Sequence, residues 1–250
     1  MIQVIVMTSD KQKDKLPGFF YLWDKYYQSS SYIGVVCGFT KPDNFPTNWR
    51  FIQQGKKQSE YSPKRWSERL MMALDNVADE VFILLLEDYW LVRPTDIVAV
   101  QMIYDYMHQF RNVLKFDLCS DRLYANGGGQ YLGNAGIYDN LDRLDLIKSD
   151  YNSPYHLSLW GGMWRRDLLR KLLIPGETAQ EIEINGTARL AQYGDEILVF
   201  GTRQVPMWHI NAVQGASWNY AYSGLSVLRE HDRLTLKKKF GYDFDLSKVS

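Results

Sequence analysis

The most hydrophobic stretch of the chain, Val81–Leu86, ends at the acidic pair Glu87 and Asp88. An unbroken apolar run of strand length is typical of a central strand in a parallel sheet that helices cover on both faces. Ligands of such sheets bind beyond the carboxyl ends of the strands. We therefore expect Glu87 and Asp88 either to lie at a binding edge, where carboxylates can hold a divalent cation, or to cap a turn in water.

Strand-like and helix-like patterns alternate through the first half of the chain, which favours a largely parallel sheet. The pattern predicts strands at 2–7, 32–37, 81–86 and 113–119. Helices are predicted at about 19–28, from the cap Ser62-Pro63 to Val77, and from Pro94 to about 110. The stretch 41–46, with two prolines, is expected to be a loop.

The second half is less regular. We expect a strand at 156–160, a tight break at Gly161-Gly162, and helices at 165–173 and within 177–193, the latter weakened by Asn185-Gly186. A late strand is predicted at 196–205. The glycine-rich stretch 126–136 predicts a mobile loop, which fits either a lid over a site or a surface excursion.

Composition and charge narrow the classes of function. The 250 residues are 46% hydrophobic and 23% charged, which allows a sizeable core in one large α/β domain. Lys plus Arg equals Asp plus Glu at 29 each, so no overall field draws the chain to nucleic acid or anionic lipid. Aromatic residues reach 14%, which fits either a large core or a cleft that stacks sugars or bases.

The cysteines and the amino terminus predict a cytoplasmic protein. Cys37 and Cys119 lie in apolar segments and are expected to be reduced core thiols. The apolar start of the chain is too short for a signal peptide, and no run approaches the ~20 residues of a membrane span.

Motifs in the carboxyl half follow one another in a recognisable order. Gly161-Gly162 and an Arg-led helix precede Glu181-Ile182-Glu183, and Arg189-Leu190 and then Gly194 follow. This order resembles the second half of the GT-A-fold nucleotide-sugar glycosyltransferases. The helix and hydrophobic strand at 62–90 are similar to the segment that precedes the acidic metal motif of that family.

The resemblance implies an α/β fold, a GT-A-like, Rossmann-type three-layer α/β/α sandwich with a mostly parallel central sheet. It also implies a single domain over 1–250, with a nucleotide-sugar-binding half at 1–120 and an acceptor-binding half at 121–250.

The chain departs from the family's pattern at both acidic motifs. The usual metal motif has two aspartates separated by one residue, whereas here Glu87 and Asp88 are adjacent and two aromatic residues follow. Ile182 occupies a position that is normally acidic, which leaves Glu181 and Glu183 as alternative bases. Glu183 is favoured because its spacing to the Arg-Leu pair and to the following glycine matches the family.

The resemblance also implies roles for individual residues, each with a structural alternative such as core packing or a solvated charge. A divalent ion, Mn²⁺ or Mg²⁺, would be held by Asp88 and His209 and would neutralise the diphosphate leaving group. Glu183, or else Glu181, would take the proton from the acceptor hydroxyl. The remaining assignments are donor binding by Thr8, Asp10, Asp43, Arg69 and Glu87, and acceptor binding by Trp160, Gly161, Gly162 and Trp164.

The sequence leaves three functions open. The leading prediction is an inverting glycosyltransferase that uses a nucleotide-sugar, with a UDP-sugar favoured, and acts on a saccharide of a surface polysaccharide. Lys237–Lys239 beside Phe240 and Tyr242 would suit a bacteriophage-type enzyme that acts on a hydroxymethylated DNA base. The third alternative is a noncatalytic module that binds a nucleotide-sugar or a glycan.

Overall fold

The computed structural model describes residues 1–120, 138–215, 217–221 and 224–248, so the glycine-rich loop predicted at 126–136 lies outside the described residues. Within these ranges the strands are β1 (Ile2–Met7), β2 (Tyr32–Gly38), β3 (Trp49–Gln53), β4 (Val81–Leu86), β5 (Tyr89–Leu91), β6 (Val113–Asp117), β7 (Asp139–Leu141), β8 (Leu144–Lys148), β9 (Gly162–Arg165), β10 (Leu198–Thr202), β11 (His209–Asn211), β12 (Val213–Gln214) and β13 (Ser217–Trp218). The α-helices of the same ranges are α1 (Leu16–Tyr26), α2 (Trp66–Leu74), α3 (Ile97–Gln109), α4 (Arg166–Leu172), α5 (Ala179–Ala191) and α6 (Glu230–Phe240).

In the described part of the chain, a 9-stranded sheet with the order β3-β2-β1-β4-β9-β6-β10-β8-β7 forms the centre of the fold. Strands β3, β2, β1 and β4 are parallel neighbours, and β6 runs parallel to β10. Strand β9 is antiparallel to both β4 and β6, so the two parallel groups point in the same direction. The carboxyl ends of both groups therefore meet at one edge of the sheet, together with the amino end of β9.

Two hydrophobic clusters cover the two faces of the sheet. Helices α1, α3 and α6 contribute to one cluster, and α2, α4 and α5 contribute to the other. Side chains of β4 alternate between them, with Val81, Ile83 and Leu85 in the first cluster and Phe82 and Leu84 in the second. Because helices cover both faces, every position in β4 has to be apolar, which explains the unbroken hydrophobic run.

The strand predicted at 156–160 is wrong, because the strand of this region is β9, which begins at Gly162. Gly162 therefore does not break the chain, and it pairs with Leu84 on β4 and with Asp117 on β6. A Cβ at position 162 would lie 2.8 Å from Lys115 Cε. Close packing, rather than a turn, is the reason for glycine here.

Helix α5 runs through Asn185-Gly186 without a break. A Cβ at Gly186 would lie 2.3 Å from Leu157 Cδ2, so the missing side chain lets Leu157 approach the helix. At the amino end of α5, Thr178 and Glu181 form a reciprocal capping box. The capping box fixes where the helix begins, and the glycine sets how closely it packs.

The carboxyl-terminal segment is anchored on α1. Asp232 of α6 is buried and accepts a hydrogen bond from Tyr26 Oη at 2.5 Å. The Tyr242 hydroxyl accepts from the Gly18 N–H at 3.0 Å and donates to the Asp14 carbonyl oxygen at 2.8 Å. These bonds tie the end of the chain to the segment that follows β1.

The cysteines and the helices can be compared directly with what the sequence predicts. Cys37 and Cys119 are both buried and free of disulfides, as expected for core thiols. Among the described residues, we find no helix with the length and apolar character that crossing a membrane requires.

We expect Tyr242→Phe to lower the free energy of unfolding by about 1–3 kcal/mol, because the buried Gly18 N–H loses its acceptor. The melting temperature should fall by about 2–4 °C for each kcal/mol in a chain of this size. Tyr151→Phe, at a tyrosine that is 41% exposed, is the control and should leave it unchanged. Equal melting temperatures for wild type and Tyr242→Phe in calorimetry would contradict the anchoring.

Candidate functional site

Segments from both halves of the chain meet at the carboxyl edge of the sheet. Residues 8–10 follow β1, and Glu87 and Asp88 follow β4. The segment 158–161 reaches the same edge because it leads into β9, which is antiparallel to its neighbours. The predicted binding edge therefore brings the acidic pair close to the segment before Gly162.

The acidic pair lies in a poorly hydrated environment. Burial raises the pKa of Glu87 to about 8, and the adjacent Asp88 carboxylate adds to the shift. Burial also raises the pKa of Asp88 to about 7, although a backbone hydrogen bond from Val213 opposes the change. Ser9 Oγ lies 3.5 Å from Glu87 Oε1. Within the described residues neither carboxylate forms an ion pair, and burial therefore favours the protonated form of each.

A small second sheet fixes the turn that carries Asp88. Strand β5 pairs with β11, with Tyr89 opposite Asn211. With its amide nitrogen turned towards them, Asn211 donates to Asp88 Oδ2 and to the Val213 carbonyl oxygen, each at 2.5 Å. The Ala212 N–H donates to the Asp88 carbonyl oxygen at 2.8 Å. The aromatic residues that follow Asp88, Tyr89 and Trp90, thus belong to strand β5, and the pairing of β5 with β11 fixes the position of Asp88.

His209, which begins β11, is packed in an aromatic cluster. Its ring centroid lies 4.7 Å from that of Tyr89 and 5.2 Å from that of Trp160, with the planes nearly parallel. Burial lowers the pKa of His209 to about 4, so the imidazole is neutral at physiological pH. A Cβ at Gly161 would lie 2.4 Å from His209 Nε2, so this edge of the ring faces the segment before β9.

The metal centre expected at Asp88 and His209 stays a prediction. Among the described residues, no three Asp, Glu, His or Cys side chains are grouped so that they could hold a metal ion. Glu87 and Asp88 nevertheless supply adjacent hard oxygen atoms, and a divalent cation would favour their ionised forms. These residues fit an ion that takes its remaining ligands from a bound phosphate group.

Glu183 of α5 contacts the segment that leads to the edge. Its Oε1 accepts a hydrogen bond from the Leu159 N–H at 2.7 Å, one residue before Trp160. Glu181 instead accepts from the Thr178 N–H at 2.8 Å, and this bond lowers the pKa of Glu181. Glu183 therefore contacts the segment that precedes β9, whereas Glu181 caps its own helix.

An open cleft of about 520 Å³ lies beyond the ends of β1 and β2 and beside the start of α2. Aromatic and cationic side chains dominate its lining, with Phe39, Tyr61 and Trp66 accompanied by Lys11, Lys13, Lys57 and Arg69. Among the described residues that line the cleft, Asp10 is the one carboxylate. Aromatic faces combined with net positive charge suit a ligand that carries a ring and phosphate groups.

Arg69 is buried at the wall of this cleft. Its Nη2 donates to the Thr8 carbonyl oxygen at 2.5 Å, and its Nε donates to Gln54 Oε1 at 3.2 Å. The guanidinium lies 4.3 Å from the centroid of the Phe39 ring. Burial lowers the pKa of Arg69, and the charge of Glu87 opposes this change. Arg69 therefore links the cleft electrostatically to the acidic pair.

The other predicted donor-binding residues differ in their positions. The Asp10 carboxylate accepts from the backbone N–H groups of Thr40 and Gln58, each at 3.1 Å, and so braces the cleft. The Thr8 side chain is buried and does not line the cleft. Asp43 is exposed in the loop between β2 and β3 and does not line it either. Direct donor contacts by Thr8 and Asp43 do not fit, because neither side chain reaches the cleft.

Trp160 is the partly exposed member of the predicted acceptor-binding set. Trp164 is fully buried in β9, and its ring centroid lies 4.9 Å from Lys115 Nζ. Because Trp164 has no exposed face for an acceptor, its predicted role in acceptor binding is corrected to core packing. Gly161 and Gly162 are also buried, and both allow close approach of neighbouring side chains. Their part in the site is to let the backbone pack closely at the edge.

The cleft walls include residues that sequence reasoning missed. Phe39 directly follows β2, and its position after a parallel strand is the signal that could have identified it. Lys57 and Tyr61 lie in the segment after β3, a strand that ends at Gln53 and that the sequence pattern does not predict. Their segment reaches the cleft through tertiary contacts such as the bond from the Gln58 N–H to Asp10, which no local pattern encodes.

Comparison with known proteins supports the fold. No protein-family model matches the chain, and no curated protein matches its sequence. The chain is similar to S. aureus TarS 1–349 in complex with UDP-GlcNAc, with a TM-score of 0.55 and 13% identity over 99% of this chain and 69% of that one. A crystal structure of S. aureus TarS gives 0.52 and 13% over 99% and 41%. This chain spans 60% of TarS 1–349 in its complex with UDP, at a TM-score of 0.49 and 12% identity over 80% of this chain.

At these identities the likeness shows the fold alone. The expected GT-A-like architecture, an α/β/α arrangement around a mostly parallel sheet, is confirmed.

We expect Asp88→Asn to raise the melting temperature at pH 8.5 in the presence of EDTA. Both carboxylates have folded-state pKa values above their unfolded values, so the wild type loses stability as pH rises from about 4 to about 8. Removing one ionisable group should restore about 0.5–2 kcal/mol at pH 8.5 and little at pH 5. Paired thermal melts at the two pH values give the measurement, and a lower melting temperature for the variant at pH 8.5 would contradict the assignment.

Proposed function

We propose that the chain is a glycosyltransferase that moves a sugar from a nucleotide-sugar donor to a hydroxyl acceptor. The observation that carries this proposal is the placement of a cationic, aromatic cleft beside an acidic pair, buried Glu87 and partly exposed Asp88, at the carboxyl edge of a GT-A-like sheet. Ligands of open α/β sheets bind at such edges.

The cleft would hold the nucleoside diphosphate part of the donor. Phe39, Tyr61 and Trp66 offer faces for a base, while Lys11, Lys13 and Lys57 offer charge for phosphate oxygens. The volume of about 520 Å³ lies within the range of small-molecule sites, roughly 300–1,000 Å³. A UDP-sugar is the favoured donor, since the similar structure of TarS 1–349 was solved with UDP-GlcNAc.

A divalent ion, Mn²⁺ or Mg²⁺, would bind at Asp88, with Glu87 beside it. When bound, such an ion supplies Lewis-acid stabilisation of the negative charge on a leaving diphosphate. Because the described residues offer two carboxylates rather than three grouped ligands, the nucleotide has to complete the coordination. His209 would act as a neutral ring that packs the site and orients Tyr89 and Trp160.

Glu183 would serve as the base that accepts the proton of the attacking hydroxyl. The Leu159 N–H donates to one of its oxygen atoms, which fixes the direction of the carboxylate. Trp160, which follows in the chain and is partly exposed, would provide a face for the acceptor sugar. A base placed opposite the leaving group would lead to inversion at the anomeric carbon.

The acceptor proposed is a saccharide of a surface polysaccharide. The DNA alternative relies on Lys237–Lys239, which form the last turn of α6 and do not line the cleft. It therefore gains no support from the geometry. A noncatalytic nucleotide-sugar-binding module would share the cleft and differ in lacking turnover.

UDP and Mn²⁺ together should raise the melting temperature more than either alone, because each supplies ligands or charge that the other needs. Lys57→Ala should weaken UDP binding about tenfold through loss of a charged hydrogen bond, as measured by calorimetric titration. Lys56→Ala is the matched control, since Lys56 is exposed and does not line the cleft. Equal UDP affinity in the two variants would show that the cleft does not bind the donor.

Glu183→Gln should reduce sugar transfer by about 10²–10⁴-fold while leaving UDP affinity unchanged, because the amide cannot accept the proton. Glu181→Gln is the control, since glutamine also closes a capping box, and it should retain full transfer. Release of UDP from candidate UDP-sugars with a saccharide acceptor is the assay. Full activity in Glu183→Gln would exclude it as the base, and donor binding by wild type without any UDP release would favour the noncatalytic module.

A further inference from the structure

We propose that Lys115, paired with Asp117 in β6, is a positioning residue that sets the segment 157–160 and thereby the orientation of Glu183 and Trp160. The inference rests on the proposed function where it concerns transfer, and on geometry alone where it concerns the segment.

Lys115 and Asp117 form an ion pair that is fully buried. Their neighbours in the same strand are apolar, and Lys115 lies over the Trp164 ring in the adjacent strand. Taking an ammonium and a carboxylate out of water is unfavourable, and a well-packed apolar pair is often as stable or more stable. A stabilising role in the core therefore does not explain this pair.

What the ammonium provides is a hydrogen bond outside its own strand. Lys115 Nζ donates to the Ser158 carbonyl oxygen at 2.8 Å. Gly162 makes room for it, because a Cβ there would lie 2.8 Å from Lys115 Cε. The lysine thus passes beneath the start of β9 and holds the residue that precedes Leu159.

Helix α5 holds the same segment from the other side. The Leu157 N–H donates to Thr187 Oγ1 at 3.0 Å, and the Leu159 N–H donates to Glu183 Oε1 at 2.7 Å. Ser158, between them, is the residue that Lys115 binds. The segment is therefore fixed alternately by α5 and by β6.

The position of the Trp160 ring, which would contact the acceptor sugar, depends on the same hydrogen bonds. Ser158 Oγ accepts from the Trp160 N–H at 3.2 Å, and the Trp160 ring stacks on Tyr89 at 5.7 Å between centroids. Release of the Ser158 carbonyl would let the segment shift. The N–H donor of Glu183 and the Trp160 ring would then both move relative to the acidic edge.

The test uses the double variant Lys115→Met/Asp117→Leu, which avoids leaving one buried charge unpaired. The matched control is Lys148→Met/Asp195→Leu, which removes a more exposed lysine–aspartate pair with an N–O distance of 2.7 Å. Amide hydrogen exchange at Leu159 should be faster in the first variant and unchanged in the control. In the wild type this amide should be strongly protected, and exchange at the rate of an open loop would overturn the proposal even if the variant does not fold.

Transfer kinetics give the functional readout. We expect kcat to fall by about 10²-fold with an unchanged donor affinity, since misplacement by about 1 Å has such an effect. The acidic limb of the pH–rate profile should move to higher pH, because the carboxylate loses a donor that favours its ionised form. A variant pair Lys115→Gln/Asp117→Asn, which restores a donor without charge, should recover part of the rate.

The outcomes separate the two proposals. Unchanged Leu159 exchange, or unchanged kcat and pH profile in an active double variant, would overturn the positioning role. If the wild type transfers no sugar from any nucleotide-sugar, the proposed function fails, and the Leu159 exchange still decides whether Lys115 sets the segment.

Discussion

The structure depends on one constraint, a strand buried on both faces that ends in two adjacent carboxylates. Helices on each side exclude water from β4, so its apolar run has to stop where the sheet meets solvent. Glu87 and Asp88 occupy that boundary, and their pKa values are raised because they share a poorly hydrated position. The packing of β4 against its neighbours stabilises the fold enough to offset the unfavourable placement of two adjacent carboxylates. Such placements are common at functional sites.

Charge is separated locally even though the whole chain is neutral. Four cations line the cleft beyond β1 and β2, whereas Glu87 and Asp88 lie at the end of β4. Arg69 connects the two regions, since it lines the cleft and interacts electrostatically with Glu87. A ligand with phosphate groups and a divalent cation would therefore find complementary charges at neighbouring positions, which is an arrangement that net charge alone cannot reveal.

The antiparallel strand β9 gives the site its second half. Because β9 runs against β4 and β6, the segment before it arrives at the edge where those strands end. Two glycines allow this segment to pack closely on His209 and Lys115. Contacts from α5 and from β6 then hold the segment 157–160, and Trp160 at its end stacks on Tyr89, the residue after Asp88.

The sequence by itself determined the strands β1, β2, β4 and β6, the helices α1 to α5 and the acidic tip of β4. Each of them follows from a local hydrophobic pattern or from the residues that interrupt that pattern. Helix α5 is also predicted by the sequence, whereas only the structure gives the reason for its glycine, which is the close approach of Leu157 to Gly186. The short strands β5, β7 and β8 and the true position of β9 were not predictable, since only pairing with distant strands makes them strands.

The tertiary structure alone decided which predicted residues share a site. It buried Trp164, left Asp43 outside the cleft and joined segment 57–61 to the end of β1. Those outcomes depend on contacts between residues far apart in the chain, whose energies no local pattern records.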